Sequence, residues 1–122
     1  MPEWNQRRVR LAALYDQALA GCDGVRPVGR RAGSVCHLYV VRAARRNRLP
    51  EFLAERGVMT AVHSPVPLHL QPAFRDCGLK RGALPVAEQA CREVLSLPLW
   101  PYMPETAVEE VAARVREFYS AA

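Results

Sequence analysis

The stretch TAVHSPVPLHLQPAF (60–74) puts three prolines and two histidines into fifteen residues without one charged side chain. It lies inside the longest uncharged run of the chain, Gly57 to Phe74. That run approaches the ~20 residues a membrane-spanning helix needs. Prolines 65, 67 and 72 forbid an unbroken helix, because each removes a backbone donor and fixes φ. The membrane reading therefore fails. What remains is an irregular connection that follows a short strand, VMTAV (58–62), and precedes a short helix at residues 71 to 77.

Outward from this connection the periodicities are helical at both ends and strand-like between. Trp4, Leu11, Leu14, Tyr15, Ala18 and Leu19 share one helical face, and Gly21 is the natural stop. The helix starts near Met1 without a good cap. Residues 22 to 34 are rich in Gly and Arg and read as a loop. VCHLYVVR (35–42) is β-branched and aromatic, mostly apolar on both alternating faces, as in a strand covered on both sides. Asn47 can cap a helix running to Arg56, with Leu49, Phe52 and Leu53 inward and Gly57 at the C′ position. Pro85 opens another helix with Ala87, Cys91 and Val94 inward. LSLP (95–98) reads as a further strand. Thr106 and Glu109 form a capping box for the last helix, whose stripe is Val108, Val111, Val115, Phe118 and Tyr119. The expected architecture is α+β, a small sheet of about three strands with helices packed on it.

At 122 residues the chain has the length of one domain. Its net charge is +5, carried by sixteen arginines and one lysine, Lys80. The arginines cluster at residues 7, 8 and 10, at 30 and 31, and at 42, 45, 46 and 48. No helix-turn-helix, zinc-finger or RNP pattern accompanies them, so a solvated Arg-rich surface is expected rather than a nucleic-acid site. Cys22, Cys36, Cys77 and Cys91 never form C-x-x-C, and reduced thiols in a cytoplasmic protein are expected.

A metal site would draw on Cys36, His37, His63, His69 and Cys77. Their spacing lacks the close ligand pair of a zinc site, and Cys36 and His37 point to opposite faces of a strand. No residue marks one cysteine as an activated nucleophile. No phosphate-binding glycine loop is present. His63 stands where a strand gives way to an irregular loop. That is equally the place of a cleft residue and of a histidine bonded to its own loop.

The segments EWNQRRVRLAALYDQAL (3–19), HLYVVR (37–42), GVMTAVHSPVPLHLQPAF (57–74) and PVAEQACREVLSLPLWP (85–101) resemble, in order and spacing, the C-terminal portion of the DegT/DnrJ/StrS family. These are pyridoxal-phosphate-dependent nucleotide-sugar aminotransferases. The resemblance implies the small C-terminal domain of an aspartate-aminotransferase-type fold. Residues 1–21 would be the end of the connecting helix and 22–122 the small domain, together a single domain.

The resemblance further implies that His63 and Ser64 face the sugar substrate, with Ser64 where the family usually has an aromatic residue. It implies as partner a large cofactor-binding domain or subunit, in dimers. Transamination needs a lysine to hold the cofactor and a carboxylate on its pyridine nitrogen. The family's S-x-x-K motif is absent and Lys80 falls in a surface loop. The chain alone is thus expected to bind no pyridoxal phosphate and to be inactive, with no catalytic residue of its own. The alternative is a stand-alone module that binds protein or nucleic acid, with Trp4 and Leu11 exposed.

Overall fold

The computed structural model describes residues 2–28, 38–62, 70–72, 76 and 78–120. In chain order the elements are α1 (Pro2–Leu19), β1 (Val25–Pro27), β2 (Tyr39–Ala43), α2 (Leu49–Glu55), α3 (Pro85–Glu93), β3 (Val94–Leu97) and α4 (Glu105–Ser120). The sheet has three strands in the order β1-β2-β3, antiparallel throughout. Val25 pairs with Ala43, and Tyr39 pairs with Leu97. The α+β expectation holds.

Alternation in β2 sorts the layers. Tyr39, Val41 and Ala43 are buried, while Val40 and Arg42 on the other face are half-buried. The buried face joins Leu95 and Leu97 of β3 to Leu11, Tyr15 and Leu19 of α1 and to Val108, Val111, Val115 and Phe118 of α4. The α4 stripe read from the sequence is therefore the core stripe. Tyr15 and Tyr39 stack at 4.5 Å between centroids. Their hydroxyls leave the core by donating to the Pro98 carbonyl at 2.6 Å and to Asp16 Oδ1 at 2.8 Å. Buried tyrosines keep their polar tips satisfied in this way.

Helix ends follow local chemistry, partly against expectation. Asn47 does not cap α2. The flanking residue is Arg48, and the Asn47 amide oxygen accepts from Arg46 Nε instead. At the other end Gly57, at φ +80°, donates to the Ala54 carbonyl, and Val58 donates to Leu53. This is a Schellman closure, and the buried pair Val58 and Leu53 supplies its apolar contact. The Thr106–Glu109 capping box is not used either, because α4 starts at Glu105 and takes Thr106 inside.

Two strand expectations change. VRP (25–27), read as loop, is an edge strand, where Pro27 is tolerated. VMTAV (58–62) is no strand: it touches the sheet only through a bridge, Ala61 to Ser96. The two residues exchange both bonds, at 3.2 and 2.8 Å, so the next bonded pair in that register is Met59 with Pro98. Pro98 has no N–H, and its carbonyl already accepts the Tyr15 hydroxyl. On the Met59 side pairing stops at this bridge; on the other side the next residue to pair, 63, lies outside the described residues.

In α3 the inward face also differs. Ala87 is exposed and Cys91 half-buried, whereas Glu88 is buried at 4% exposure. The Glu88 carboxylate accepts the Gly82 N–H at 2.8 and 2.9 Å and the Leu84 N–H at 3.2 Å. Donors at the start of a helix are thereby satisfied by a charge of favourable sign. Glu88→Ala is expected to lower stability by about 1–3 kcal/mol, read in urea unfolding. Amide exchange at Gly82 and Leu84 should speed up in the same variant.

Within the expected helix at 71 to 77, Pro72 and Asp76 show 3₁₀ conformation, as does Leu70 just before it, and residues 73–75 and 77 lie outside the described residues.

Candidate functional site

A cleft of about 270 Å³ lies at the β3 edge of the sheet. Ser96 to Leu99 run along it, with Leu38 beside them from the β2 side and Met59, Thr60 and Ala61 from the side of the bridge. Met59 is 75% exposed and Leu38 39%, so apolar side chains face the opening. No charged side chain is among the described residues lining it. Val62, next along the chain, packs on the core and does not line the cleft. His63 and Ser64 themselves, with Cys36, His37, His69 and Cys77, lie outside the described residues. Among the described residues no group of three His, Cys, Asp or Glu side chains could hold a metal ion.

A second cleft, of about 360 Å³, is built from the β1–β2 end: Cys22 to Arg26, Arg42 to Ala44, and Glu93. Two of its charges are mutually engaged. Arg42 Nε donates to Glu93 Oε2 at 2.8 Å, and Gln89 Nε2 to Glu93 Oε1 at 3.1 Å. The Gln89 amide, then the Arg42 guanidinium, hold the Glu93 carboxyl below the usual carboxylate range. Burial pushes the Cys22 thiol up, away from the reactive thiolate. A third, about 50 Å³, lies between Arg7, Arg10 and Met103.

The arginine clusters are largely tied into the fold. Arg46 reaches the Val94 carbonyl at 2.9 Å, and Arg116 Nε caps the α1 end through Ala18 O at 2.7 Å. Arg45 lies over the Phe118 ring at 4.6 Å, and Arg56 over Phe52 at 3.5 Å. Arg30 and Arg31 lie outside the described residues. Among the helices of the described residues none is long and apolar enough to cross a membrane. Leu11, expected to be exposed, is buried. Trp4 is 39% exposed, and its indole donates to the Tyr102 hydroxyl at 2.9 Å.

The sequence matches the DegT/DnrJ/EryC1/StrS aminotransferase family over residues 1–116. The chain belongs to this family. It is 42% identical over 120 residues to the dTDP-3-amino-3,4,6-trideoxy-alpha-D-glucose transaminase of Streptomyces venezuelae, covering 97% of this chain and 32% of that protein. It is 39% identical over 123 residues to the pleiotropic regulatory protein of Geobacillus stearothermophilus, covering 98% and 33%. Among solved structures, S. venezuelae DesV in complex with a ketimine intermediate superposes with a TM-score of 0.91 at 40% identity. That match covers 98% of this chain and 33% of that one. A DegT DnrJ EryC1 StrS aminotransferase from Brucella abortus gives 0.83 at 31% identity, over 94% and 31%. The chain of this family member thus spans about a third of the relatives it matches.

Among the described residues none of the three clefts fits a pyridoxal-phosphate site. Lys80 is the one lysine of the sequence; it is exposed and lines none of the three clefts. No lysine therefore stands beside a carboxylate in any of them. The residues missed by sequence reading are Leu38, Met59 and Leu99. They come together only through the β2–β3 register and the Ala61 bridge, which no local pattern reveals.

Proposed function

We propose that this chain is the small C-terminal domain of a pyridoxal-phosphate-dependent nucleotide-sugar aminotransferase, which moves an amino group, typically from glutamate, onto a keto sugar nucleotide. The observation that carries this reading is the superposition of 98% of the chain on one third of DesV. In it residues 1–21 end a connecting helix and 22–122 close over the substrate, with His63 and Ser64 at the cleft. The cofactor belongs to the large domain, which also supplies the lysine and the pyridine-nitrogen carboxylate. The unpaired thiols of Cys22 and Cys91 fit a reducing, cytoplasmic setting.

The chain alone, mixed with pyridoxal phosphate, is expected to show no visible-edge absorbance of bound cofactor and no borohydride-trapped adduct at Lys80. Turnover is expected only when the complementary two-thirds of a relative, such as the S. venezuelae transaminase, is co-purified with it. A trapped Lys80 adduct with turnover by the chain alone would overturn the reading.

A second reading, an interaction module of the same fold, is favoured by the exposed aromatics Trp4, Trp100 and Tyr102. Light scattering separates the two. Self-association of the chain that persists beside the complementary domain supports the module.

A further inference from the structure

We infer that the cleft at the β1–β2 end binds a free α-amino acid, with its carboxylate between Arg26 and Arg42 and its ammonium on Asp23. This site is separate from the cleft at the β3 edge. Leu38, on that cleft, and Arg42, on this one, are about 13 Å apart along β2. The inference does not depend on the aminotransferase reading.

Strand register builds the cation pair. Arg26 is paired with Arg42 across β1 and β2, and both side chains lie on the face opposite the buried Val25, Val41 and Ala43. Ala44 N donates to the Gly24 carbonyl and Val28 N to the Val40 carbonyl, so Arg26 and Arg42 are the bonded pair between them. Their side chains start about 5 Å apart, and like charges so placed repel. Glu93 relieves only one of them. Arg42 Nε donates to Glu93 Oε2 at 2.8 Å, and Gln89 Nε2 donates to Oε1 at 3.1 Å. Among the described residues the Arg42 Nη atoms make no hydrogen bond, and Arg26, which is exposed, makes no ion pair. Two guanidinium groups with open donors therefore line one cleft.

Asp23 sets the other half. Its carboxylate is exposed on the same cleft and pairs with no cation among the described residues, Arg26 included. An inorganic oxyanion gains the arginines there but lies against Asp23 and Glu93. A plain amine gains Asp23 but lies against two guanidinium groups. A zwitterion meets each charge with its opposite. Guanidinium edges suit a planar carboxylate in particular, through parallel N–H donors. The volume, about 360 Å³, admits a small ligand. No lysine lines the cleft, so the amino group is held there and not converted.

Amide NMR of the full ¹⁵N-labelled chain tests this with L-alanine, propionate and ethylamine, which carry both charges, the acid alone and the amine alone. L-Alanine is expected to move the Gly24, Arg26 and Ala44 signals saturably, at about fivefold lower concentration than either fragment. The Leu38 signal is expected to stay in place. Arg26→Gln and Asp23→Asn change exposed side chains and leave folding intact. Asp23→Asn should weaken alanine to the level of propionate, and Arg26→Gln to the level of ethylamine.

Shifts that do not saturate, or equal responses to all three compounds, would overturn the inference and reduce the cleft to solvated charges. Tighter binding of inorganic phosphate than of alanine would overturn it too, making the cleft an anion site. Complementation of a large domain is a separate measurement, so failure here leaves the aminotransferase reading standing.

Discussion

Tyr15→Ala is expected to lower the unfolding free energy by about 3–5 kcal/mol, a large part of the ~5–15 kcal/mol that holds a domain folded. Tyr15 is fully buried, stacks on Tyr39 and fastens α1 to the chain just after β3 through the Pro98 carbonyl. Its removal leaves a cavity where helix and sheet meet and a carbonyl without its donor. Tyr15→Phe separates the two effects. It keeps the ring and is expected to cost about 1–2 kcal/mol, the hydrogen-bond part. Urea unfolding of both variants checks the split; equal costs would mean that the hydroxyl, not the ring, holds the junction.

Tyr15 and Tyr119 give the stability a pH dependence of known sign. Burial pushes the Tyr15 hydroxyl far up and the Tyr119 hydroxyl up to about 12. In the unfolded chain both titrate near ~10. Above that pH the unfolded state has shed protons that the native state retains, so stability falls as pH rises. The contribution is complete below about pH 10 and is lost progressively through about pH 12 and beyond. The stability of the parent should hold up to about pH 10 and fall from there through about pH 12. Tyr15→Phe should show a shallower fall, since one of the two retained protons is gone.

How legible this was in the sequence depended on how each element is stabilised. The α4 stripe of Val108, Val111, Val115 and Phe118 could be read because a long helix repeats its buried face many times. β2 could be read from LYVVR because aromatic and β-branched residues crowd it, although only the face of Tyr39, Val41 and Ala43 is fully buried. VRP could not. An edge strand of three residues has too little pattern, and Arg26 with Pro27 points to a loop until a partner is known. VMTAV failed for the opposite reason. Its own residues favour a strand, and only Pro98, far along the chain, blocks the pairing.

Glu88 was hidden because a charged residue is assigned to solvent, and its partners are backbone groups a few residues earlier. The site divides similarly. The cleft lined by Leu38, Met59 and Leu99 became visible only once the β2–β3 register and the Ala61 bridge brought them together. His63 and Ser64 rest on resemblance, since they lie outside the described residues.

Gly24→Ala is expected to cost about 2–5 kcal/mol, from backbone strain and overpacking together. Gly24 sits at φ +96°, a conformation that favours glycine, and ends the turn into β1. A Cβ built there would lie 2.5 Å from Tyr119 Cδ1 and 2.7 Å from Cε1. The ring has little freedom to retreat. Its hydroxyl donates to the Ala44 carbonyl at 2.7 Å, and Phe118 meets it edge-on at 4.9 Å. The Gly24 carbonyl in turn accepts from Ala44 N at 2.6 Å, so glycine, ring and β2 end form one closed unit. A double-mutant cycle separates the two causes. In a Tyr119→Leu background the obstruction is smaller, and the cost of Gly24→Ala should fall to the strain alone, about 1–2 kcal/mol. Equal costs in both backgrounds would mean that the ring yields, and that α4 and the β1 turn are less tightly joined than these distances require.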